Sequence, residues 1–371
     1  MIDARHRLDH PDRLPSPCLL VFEEVVRDNL AAMIRIGGST DRLRLHAKTH
    51  KMAAIIRLEE SLGFHKHKCA TIAEAEMIAE AGGRDILIAY PLVGPNIVRL
   101  IALIRGYPGA TFRAIVDHPG PAAELGAAAR SLERPISTLV DLEIGMGRTG
   151  IVPGEEAIAL YRQVANDPGL QPDGLHAYDG HIRDPDPVAR EEAAIQGLRP
   201  VLELRDHLIG LGHPVPKLVV GGTPTFPIHA RSPQQGLECS PGTTTLHDAG
   251  YATRFPDLPF TPAALLLTRV VSHPRPGRIT LDLGHKAVAA DPDGDRLMLP
   301  GLPGARFIGQ SEEHLVVEGH NMGSIPQGTA LLAIPMHICP TVALHSKAYV
   351  VREGRVIDEW EVTARDRILT Y

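Results

Sequence analysis

The chain has 371 residues, of which 44% are hydrophobic and 4% aromatic, so its core must be built mainly from aliphatic side chains. The formal net charge is -6 at pH 7, and acidic and basic residues are interspersed. Because the sequence contains no basic arm or run of like charge, we expect neither nucleic acid nor an anionic membrane as a partner. The longest apolar stretches, such as PAALLLTRVV, are too short to span a bilayer.

The four cysteines, Cys18, Cys69, Cys239 and Cys339, are scattered along the chain and show no CxxC spacing. This distribution argues against a disulfide framework and fits reduced thiols. The opening segment MIDARHRLDHPDRLPSP lacks the apolar run of a signal peptide. We therefore expect a cytoplasmic protein.

From about residue 43 to 240, short apolar runs alternate with longer stretches of helical periodicity. Helix-like patterns such as AEAEMIAEAGG end in glycine, as helices often do. Eight strands with helices between them predict an α/β fold, a parallel (β/α)8 TIM-type barrel. We place the strands at 43–47, 67–71, 85–90, 112–117, 136–144, 174–179, 217–222 and 236–240.

After about residue 250 the pattern changes to β-rich runs such as RITLDLG and TALLAIP, separated by Gly and Pro turns. No strong helical pattern occurs there, and REGRV is typical of a hairpin turn. We predict a barrel domain over 18–248 and a second, mostly β domain over 249–371, with residues 1–17 packing with the second domain. The segment SPCLLVF is itself a candidate strand of that β domain.

A lysine directly follows the first predicted strand, in the sequence HAKTHK that contains Lys48. The carboxyl ends of barrel strands converge on one mouth, where active sites are built. A lysine on a rigid element at such a mouth is suited to Schiff-base chemistry. Two lysines beside two histidines are, however, also typical of an ordinary solvated loop.

Two glycine turns at later strand ends are candidates for binding a phosphate. In VVGGTP the backbone amides of Gly221 and Gly222 and the hydroxyl of Thr223 can approach an anion closely. Ser240 ends the last predicted strand and Gly242 follows it, and they offer a second contact, because phosphate sites in TIM barrels commonly use the last two loops. The alternative for each segment is a plain turn.

A third candidate is the segment PMHICPT, in which His337 and Cys339 are separated by one residue. In an extended chain these two side chains point to the same side, as two ligands of one metal must. Imidazole and thiolate together suit zinc best, and two protein ligands leave positions open for substrate or water. A buried cysteine beside a hydrogen-bonded histidine is the alternative interpretation.

Arg148 lies in the loop GMGRTG after the fifth strand. An arginine there is suited to facing a cofactor ring or a carboxylate. It is equally suited to a surface ion pair, which contributes little.

Taken together, these motifs resemble the D-threonine aldolase and D-serine dehydratase family, which has a barrel of the alanine-racemase type (fold type III). The resemblance covers nearly the whole chain. Its segments are SPCLLVF, LRLHAKTHK, CATIAEAEMIAEAG, DILIAYPLVGP, DLEIGMGRTG, VVGGTPTF, LDLGHKA, PMHICPTVALH and WEVTAR, in the family's order.

The resemblance implies pyridoxal 5′-phosphate (PLP) as the cofactor and a divalent metal, namely Zn, Mn or Mg. Lys48 would bind the cofactor aldehyde covalently, Arg148 would lie near the pyridine nitrogen, and Tyr178 would line the pocket. The glycine turn after 220 would bind the phosphate, and His337 with Cys339 would bind the metal. Family members are homodimers, whose active site takes residues from the neighbouring chain's β domain.

The sequence departs from the aldolases at two positions. Aldolases carry HxD at the metal site, whereas His337-Ile-Cys339 has the form seen in D-serine dehydratases. In AYDGHI, Asp179 stands where aldolases have a histidine, and His181 follows two residues later. His181 therefore becomes the candidate catalytic base.

The resemblance implies a lyase acting on a small-molecule D-3-hydroxy amino acid. In the aldolase interpretation D-threonine is cleaved to glycine and an aldehyde. In the dehydratase interpretation Lys48 removes the Cα proton, and D-serine or a 3-hydroxyaspartate yields a keto acid and ammonia. A racemase, which needs no metal, and a non-catalytic cofactor carrier, which lacks the β domain, are lesser alternatives.

Overall fold

The computed structural model describes residues 2–371. Its first strand is β1 (Cys18–Phe22), and its first α-helix is α1 (Glu23–Gly37). All five side chains of β1 are buried, so the strand lacks the alternation of buried and exposed residues that marks a half-exposed strand. Within residues 2–371 no helix is long and apolar enough to cross a bilayer.

Eight parallel strands then form one sheet in the order of the sequence. A parallel bridge between Leu43 and Cys239 joins its two ends, so the predicted barrel is confirmed. The strands are β2 (Leu45–His46), β3 (Lys66–Cys69), β4 (Asp85–Ile88), β5 (Thr111–Val116), β6 (Ile136–Leu142), β7 (Leu170–Ala177), β8 (Leu218–Val220) and β9 (Leu237–Cys239). The helices are α2 (Ala53–Ser61), α3 (Ile72–Glu80), α4 (Pro95–Gly106), α5 (Pro119–Ala129), α6 (Glu155–Asn166), α7 (Pro187–Gly210) and α8 (Phe226–Ala230).

Local sequence explains where these helices begin. Before α3, the Thr71 hydroxyl accepts a hydrogen bond from the Glu74 backbone N at 3.0 Å, and the Glu74 carboxylate accepts one from Ala70 N at 2.7 Å. This reciprocal cap satisfies amide groups that have no partner inside the helix. Between the strands the core is aliphatic, as the composition requires, and one cluster joins Leu87, Ile115, Leu139 and Val219.

Charged side chains inside the barrel form a second, ionic layer. Arg44 is completely buried and donates to Glu238 and to Asp85, each at 2.6 Å. Arg113 donates to Asp85 and, at 2.6 Å, to Asp173. Buried charges are tolerated only when they are paired in this way, so the layer ties the ends of separate strands together.

The other strands form a nine-stranded sheet. Its later elements are α9 (Ala249–Arg254), β10 (Ala264–Arg275), β11 (Arg278–Leu281), β12 (Leu297–Met298), β13 (Arg306–Gln310), β14 (Leu315–Glu318), β15 (Ala330–Pro335), α10 (Ile338–Ala343), β16 (Lys347–Arg352) and β17 (Arg355–Glu361). β1 pairs antiparallel with β10 and parallel with β16, so SPCLLVF does join the β domain. The two short helices were not expected from the sequence.

The chain divides into two compact units. We call them the β unit, which contains the chain up to Ala32, Thr49–Met52 and Thr243–Arg365, and the barrel unit, which contains Met33–Lys48, Ala53–Gly242 and Asp366–Tyr371. This division differs from the predicted bounds of 18–248 and 249–371, chiefly because β1 pairs with strands that lie more than 240 residues later. Such long-range pairing leaves no local sequence signal.

The barrel unit contains a histidine whose protonation should affect stability. His67 is fully buried, with Nε2 2.8 Å from Glu60 and Nδ1 3.4 Å from Glu59. Burial alone would lower the pKa of His67, but the two glutamates outweigh burial and raise it to about 8. A pKa raised on folding adds stability that is complete below the unfolded value and is lost as pH rises through the folded value.

We therefore predict that the free energy of unfolding falls by about 2 kcal/mol between pH 6 and 9 because of His67. The measurement is urea unfolding at both pH values, followed by circular dichroism. In His67→Gln the difference between the two pH values should shrink by that amount. An unchanged difference in the variant would assign the effect to other groups.

Candidate active site

A small cavity lies at the carboxyl ends of the barrel strands. It is lined by His46, Lys48, Lys68, Ala89, Ile115, Asp141, Leu142, Met146, Arg148, Thr149, His176 and Tyr178. Lys48, Arg148 and Tyr178 were all expected from the sequence, and the barrel brings them to this one cavity. It also brings in Lys68 and His176, which sequence reasoning missed.

Three basic side chains lie near the ring of Tyr178. The Nζ atoms of Lys48 and Lys68 lie 5.7 and 5.9 Å from the ring centroid, and Cζ of Arg148 lies 5.2 Å from it. Cations are attracted to an aromatic face at such distances, so the ring partly offsets their mutual repulsion. A cavity with this charge is suited to an anionic ligand.

Lys68 lies on β3 and is only 2% exposed. Burial, together with the neighbouring charge of Lys48, lowers the pKa of Lys68 to about 7. No ion pair of Lys68 is found in the part of the chain that the structure describes. In the sequence Lys68 is marked only by its place in the strand KHKC, two residues after Lys66. A lysine at such a position is equally compatible with solvent exposure, so the sequence did not indicate that it is buried.

A histidine–aspartate pair completes this cavity. Asp141 and His176 are register partners on β6 and β7, and Nδ1 of His176 lies 2.6 Å from the Asp141 carboxylate. Asp141 also accepts a hydrogen bond from Thr149 at 3.0 Å. Burial lowers the pKa of His176, so the imidazole is neutral, donates from Nδ1 and keeps a lone pair on Nε2.

The glycine turn follows β8 directly and is buried. Gly221 has φ +77°, a conformation that favours glycine, and a Cβ atom there would lie 2.7 Å from the ring of His229. A Cβ on Gly222 would lie 3.0 Å from the ring of Tyr178. Thr223 is 4% exposed beside them. The turn therefore presents bare backbone close to an aromatic ring of the cavity.

Asp179 supports this turn through hydrogen bonds. Its carboxylate accepts hydrogen bonds from Thr225 Oγ1 at 2.9 Å and from His229 Nε2 at 2.7 Å. The hydroxyl of Thr225 in turn accepts from Gly222 N at 3.2 Å. Asp179, which departs from the aldolase pattern in sequence, is thus part of the support of the turn.

The second predicted phosphate contact is built differently from the first. The Ser240 hydroxyl donates to the Arg44 carbonyl at 2.9 Å, and its backbone N donates to Val220 O at 3.1 Å. Both donors of Ser240 are therefore engaged in closing the barrel, because this residue follows the last strand where it meets the first. Gly242, two residues later, is also buried and is the last residue of the Ala53–Gly242 segment of the barrel unit.

His181 is exposed and does not line the cavity of Lys48. It lines a separate groove of the barrel unit together with Glu143 and Arg183. A Cβ added to Gly145 would lie 2.5 Å from its Nε2, so His181 packs on the loop that also carries Arg148. This predicted base and Lys48 therefore line different cavities.

The proposed metal ligands lie in the β unit, at the junction of β15 and α10. His337 is the residue before the helix and Cys339 lies in its first turn, so the extended geometry expected from the sequence is wrong here. Nδ1 of His337 lies 2.5 Å from Asp291, and Sγ of Cys339 lies 3.3 Å from Thr49 Oγ1. Asp248 accepts a hydrogen bond from Ile338 N at 3.1 Å and holds the backbone between the two ligands.

His337 and Cys339 do come together despite the helix. Burial alone would lower the pKa of His337, but the nearby Cys339 thiol and Asp291 carboxylate raise it to about 9. Residues 2–371 contain no group of three or more His, Cys, Asp or Glu side chains arranged to hold a metal ion. A metal here would therefore have two ligands from this chain.

Comparison with known proteins identifies the family. The family model described as "Alanine racemase, N-terminal domain" matches residues 23–243, more than half of the chain, and "Putative serine dehydratase domain" matches residues 263–351. A D-threonine aldolase of Arthrobacter sp. is 30% identical over 95% of this chain and 93% of its own. The chain belongs to the D-threonine aldolase and D-serine dehydratase family.

Two further relatives agree with this assignment. A 3-hydroxy-D-aspartate aldolase of Paracoccus denitrificans (strain Pd 1222) is 29% identical, over 95% of this chain and 93% of its own. The crystal structure of D-threonine aldolase from Filomicrobium marinum superimposes with a TM-score of 0.89 at 29% identity, covering 98% of this chain and 99% of that one. The chain is thus an enzyme of the PLP-dependent fold type III family, and the resemblance noted from the motifs is confirmed.

The glycine turn yields a stability prediction. Gly221→Ala combines left-handed backbone strain with a clash against His229, whereas Gly212→Ala meets the strain alone, because φ is +84° and no atom lies within 4 Å. We expect the control to cost about 1–2 kcal/mol of unfolding free energy. Gly221→Ala should cost about 1–3 kcal/mol more, since overpacking forces buried groups apart. Urea unfolding of both variants measures the difference, and equal losses would contradict the close packing of this turn.

Proposed function

We propose that this enzyme is a PLP- and divalent-metal-dependent lyase for D-3-hydroxy amino acids, of the D-threonine aldolase type. The reaction is retro-aldol cleavage to glycine and an aldehyde. The observation that carries the proposal is a lysine amine at the tip of the first barrel strand, in one cavity with Arg148 and Tyr178. Similarity to a D-threonine aldolase over 95% of the chain supports it. We also propose a homodimer in the cytoplasm.

The cavity residues fit the cofactor. Lys48 would bind its aldehyde, Arg148 would face the pyridine ring near its nitrogen, and Tyr178 would line the ring. The phosphate would lie on the bare backbone of the glycine turn, where a Cβ on Gly222 would crowd Tyr178 at 3.0 Å. When bound, PLP supplies an electron sink for the electron pair released at Cα.

Thr223 and Gly242 extend the proposed phosphate contacts. The Thr223 hydroxyl adds a donor beside the glycine amides, and the Gly242 backbone follows the last strand. The donors of Ser240 already bind Arg44 O and Val220 O, so we assign Ser240 to shaping this second loop through the hydrogen bonds of the barrel closure.

The β-unit pair fits a metal by its chemistry. Imidazole and thiolate are ligands that zinc prefers, with Mn and Mg as the alternatives. Asp291 faces Nδ1 of His337, so Nε2 is the nitrogen available for a metal, as is usual when a carboxylate orients a ligating histidine. When bound, the metal supplies a Lewis acid that lowers the pKa of a substrate hydroxyl.

The chain's own groups then handle two protons. In the cofactor-loaded enzyme with substrate bound, the free amine of Lys48 would hold a proton beside Cα and deliver it to the glycine product. We keep His181 as the candidate base for the hydroxyl proton; because its exposed ring lines a separate groove on the loop that carries Arg148, this role requires the ring to move toward the cavity of Lys48. Asp141 and His176 keep one wall of the cavity in a single hydrogen-bonded arrangement.

D-serine or 3-hydroxyaspartate dehydratase activity is the second candidate. The match of residues 263–351 to a serine dehydratase domain and the Cys339 thiol favour it. In that reaction Lys48 removes the Cα proton, the hydroxyl group leaves, and ammonia and a keto acid form. Which bond at Cα aligns with the electron sink decides between the two outcomes. A racemase or a non-catalytic PLP carrier would have no use for the metal pair.

Lys48→Ala tests the cofactor assignment. Wild-type protein with PLP should gain a visible absorbance band, and the variant should lack that band because no amine remains at the strand tip. Turnover should fall by at least about 10²-fold, the lower range for a positioned acid–base group. Lys286→Ala, at an exposed surface lysine, is the matched control and should retain both properties. Full turnover in Lys48→Ala would refute the proposal.

Metal removal tests the lyase assignment. Chelation should abolish turnover, and added Zn, Mn or Mg should restore it, because the hydroxyl is not activated without the Lewis acid. Cys339→Ala should weaken metal binding, measured by elemental analysis after dialysis. D-threonine and D-serine are supplied separately, and aldehyde and pyruvate are assayed. Aldehyde supports the aldolase, pyruvate the dehydratase, and turnover that resists chelation contradicts both.

A further inference from the structure

Two buried polar groups of the barrel cavity have no part in the proposed chemistry. One is the amine of Lys68, which is 2% exposed and lines the same cavity as Lys48. The other is Nε2 of His176, which is buried and has no hydrogen-bond partner within residues 2–371. A buried polar atom without a partner is costly, so Nε2 of His176 indicates a missing ligand atom, and the Lys68 amine is the donor group that lines the same cavity.

The chemistry of the two groups is complementary. An ammonium group only donates hydrogen bonds, and Nε2 of His176 only accepts, because Nδ1–H is directed to Asp141 at 2.6 Å. The two groups are close enough that the charge of Lys68 lowers the pKa of His176. Such a pair suits a ligand oxygen that accepts one hydrogen bond and carries a proton of its own in one of its states, as a phenol does.

The covalent structure of PLP identifies this oxygen, an assignment that rests on the proposed function. The ring oxygen is attached to the carbon next to the one that bears the aldehyde. An amine that binds the aldehyde therefore has the ring oxygen beside it. Lys68 is the amine next to Lys48, and both Nζ atoms lie within 6 Å of the Tyr178 ring centroid. The substrate hydroxyl is assigned to the metal, which leaves the cofactor oxygen for Lys68.

We propose that Lys68 and His176 form the binding subsite for the ring oxygen of the cofactor. Lys68 donates to this oxygen, and His176 accepts its proton when the oxygen carries one. Asp141 acts through His176 and is a positioning residue, since it fixes which ring nitrogen carries the proton. The phosphate turn and Lys48 are separate from this subsite.

The test compares PLP with 3-deoxypyridoxal 5′-phosphate, which keeps the aldehyde and phosphate but lacks the ring oxygen. Binding of each is titrated by absorbance in wild type, Lys68→Met, Lys68→Arg and the control Lys286→Met. A charge-assisted hydrogen bond predicts that Lys68→Met weakens PLP about 10- to 100-fold. The deoxy analogue should bind wild type and Lys68→Met equally, and Lys68→Arg should recover part of the PLP affinity. His176→Gln should follow the pattern of Lys68→Met more weakly.

The outcomes separate this inference from the proposed function. If wild type does not bind PLP, both are refuted. If wild type binds PLP and Lys68→Met weakens both compounds equally or neither, only the subsite is refuted. A substrate subsite is tested by adding D-threonine and D-2-aminobutyrate, which lacks the hydroxyl, to PLP-loaded protein. Loss of discrimination between these two amino acids in Lys68→Met, with unchanged PLP binding, would also overturn the proposal.

Discussion

The barrel depends on one buried guanidinium group. Arg44 precedes the first barrel strand and pairs with Glu238 on the last and with Asp85 on the third. Removing one partner of such a buried pair leaves an uncompensated charge, at a cost of about 3–5 kcal/mol. The carbonyl of Arg44 also accepts a hydrogen bond from the Ser240 hydroxyl, so the first and last barrel strands are held in register. Lys48 lies four residues after Arg44, so the hydrogen bonds that close the barrel also fix the position of the Lys48 backbone.

The cavity above this closure carries more positive charge than its own groups neutralise. Lys48, Lys68 and Arg148 all lie near one tyrosine ring, while the Asp141 carboxylate is hydrogen-bonded to Thr149 and His176. A cluster of this kind is stabilised by an anion, and PLP is an anion at both its phosphate and its ring oxygen. The glycine turn suits the first of these charges and Lys68 suits the second. The same electrostatic constraint thus connects the fold to the proposed chemistry.

Much of the fold could be predicted because its signals are local. The alternation of strands and helices identified all eight barrel strands, to within a few residues at their ends. The bounds of the units could not be predicted in the same way. β1 pairs with strands far along the chain, and its fully buried sequence has no alternation that shows where it belongs. The helix that contains Cys339 is only six residues long, too short to produce a periodic pattern.

The sequence by itself determined the residues that carry local signatures: Lys48 after a strand, the glycines of VVGGTP, and His337 two residues before Cys339. Only the tertiary structure decided which side chains share a cavity. Lys68 and His176 are 108 residues apart, and no motif links them. Neither residue type is unusual on a strand, so a role for either one is indicated only by their meeting in the same cavity. Backbone propensity and periodicity act over a few residues, whereas the convergence of strand ends is set by pairing across the whole barrel.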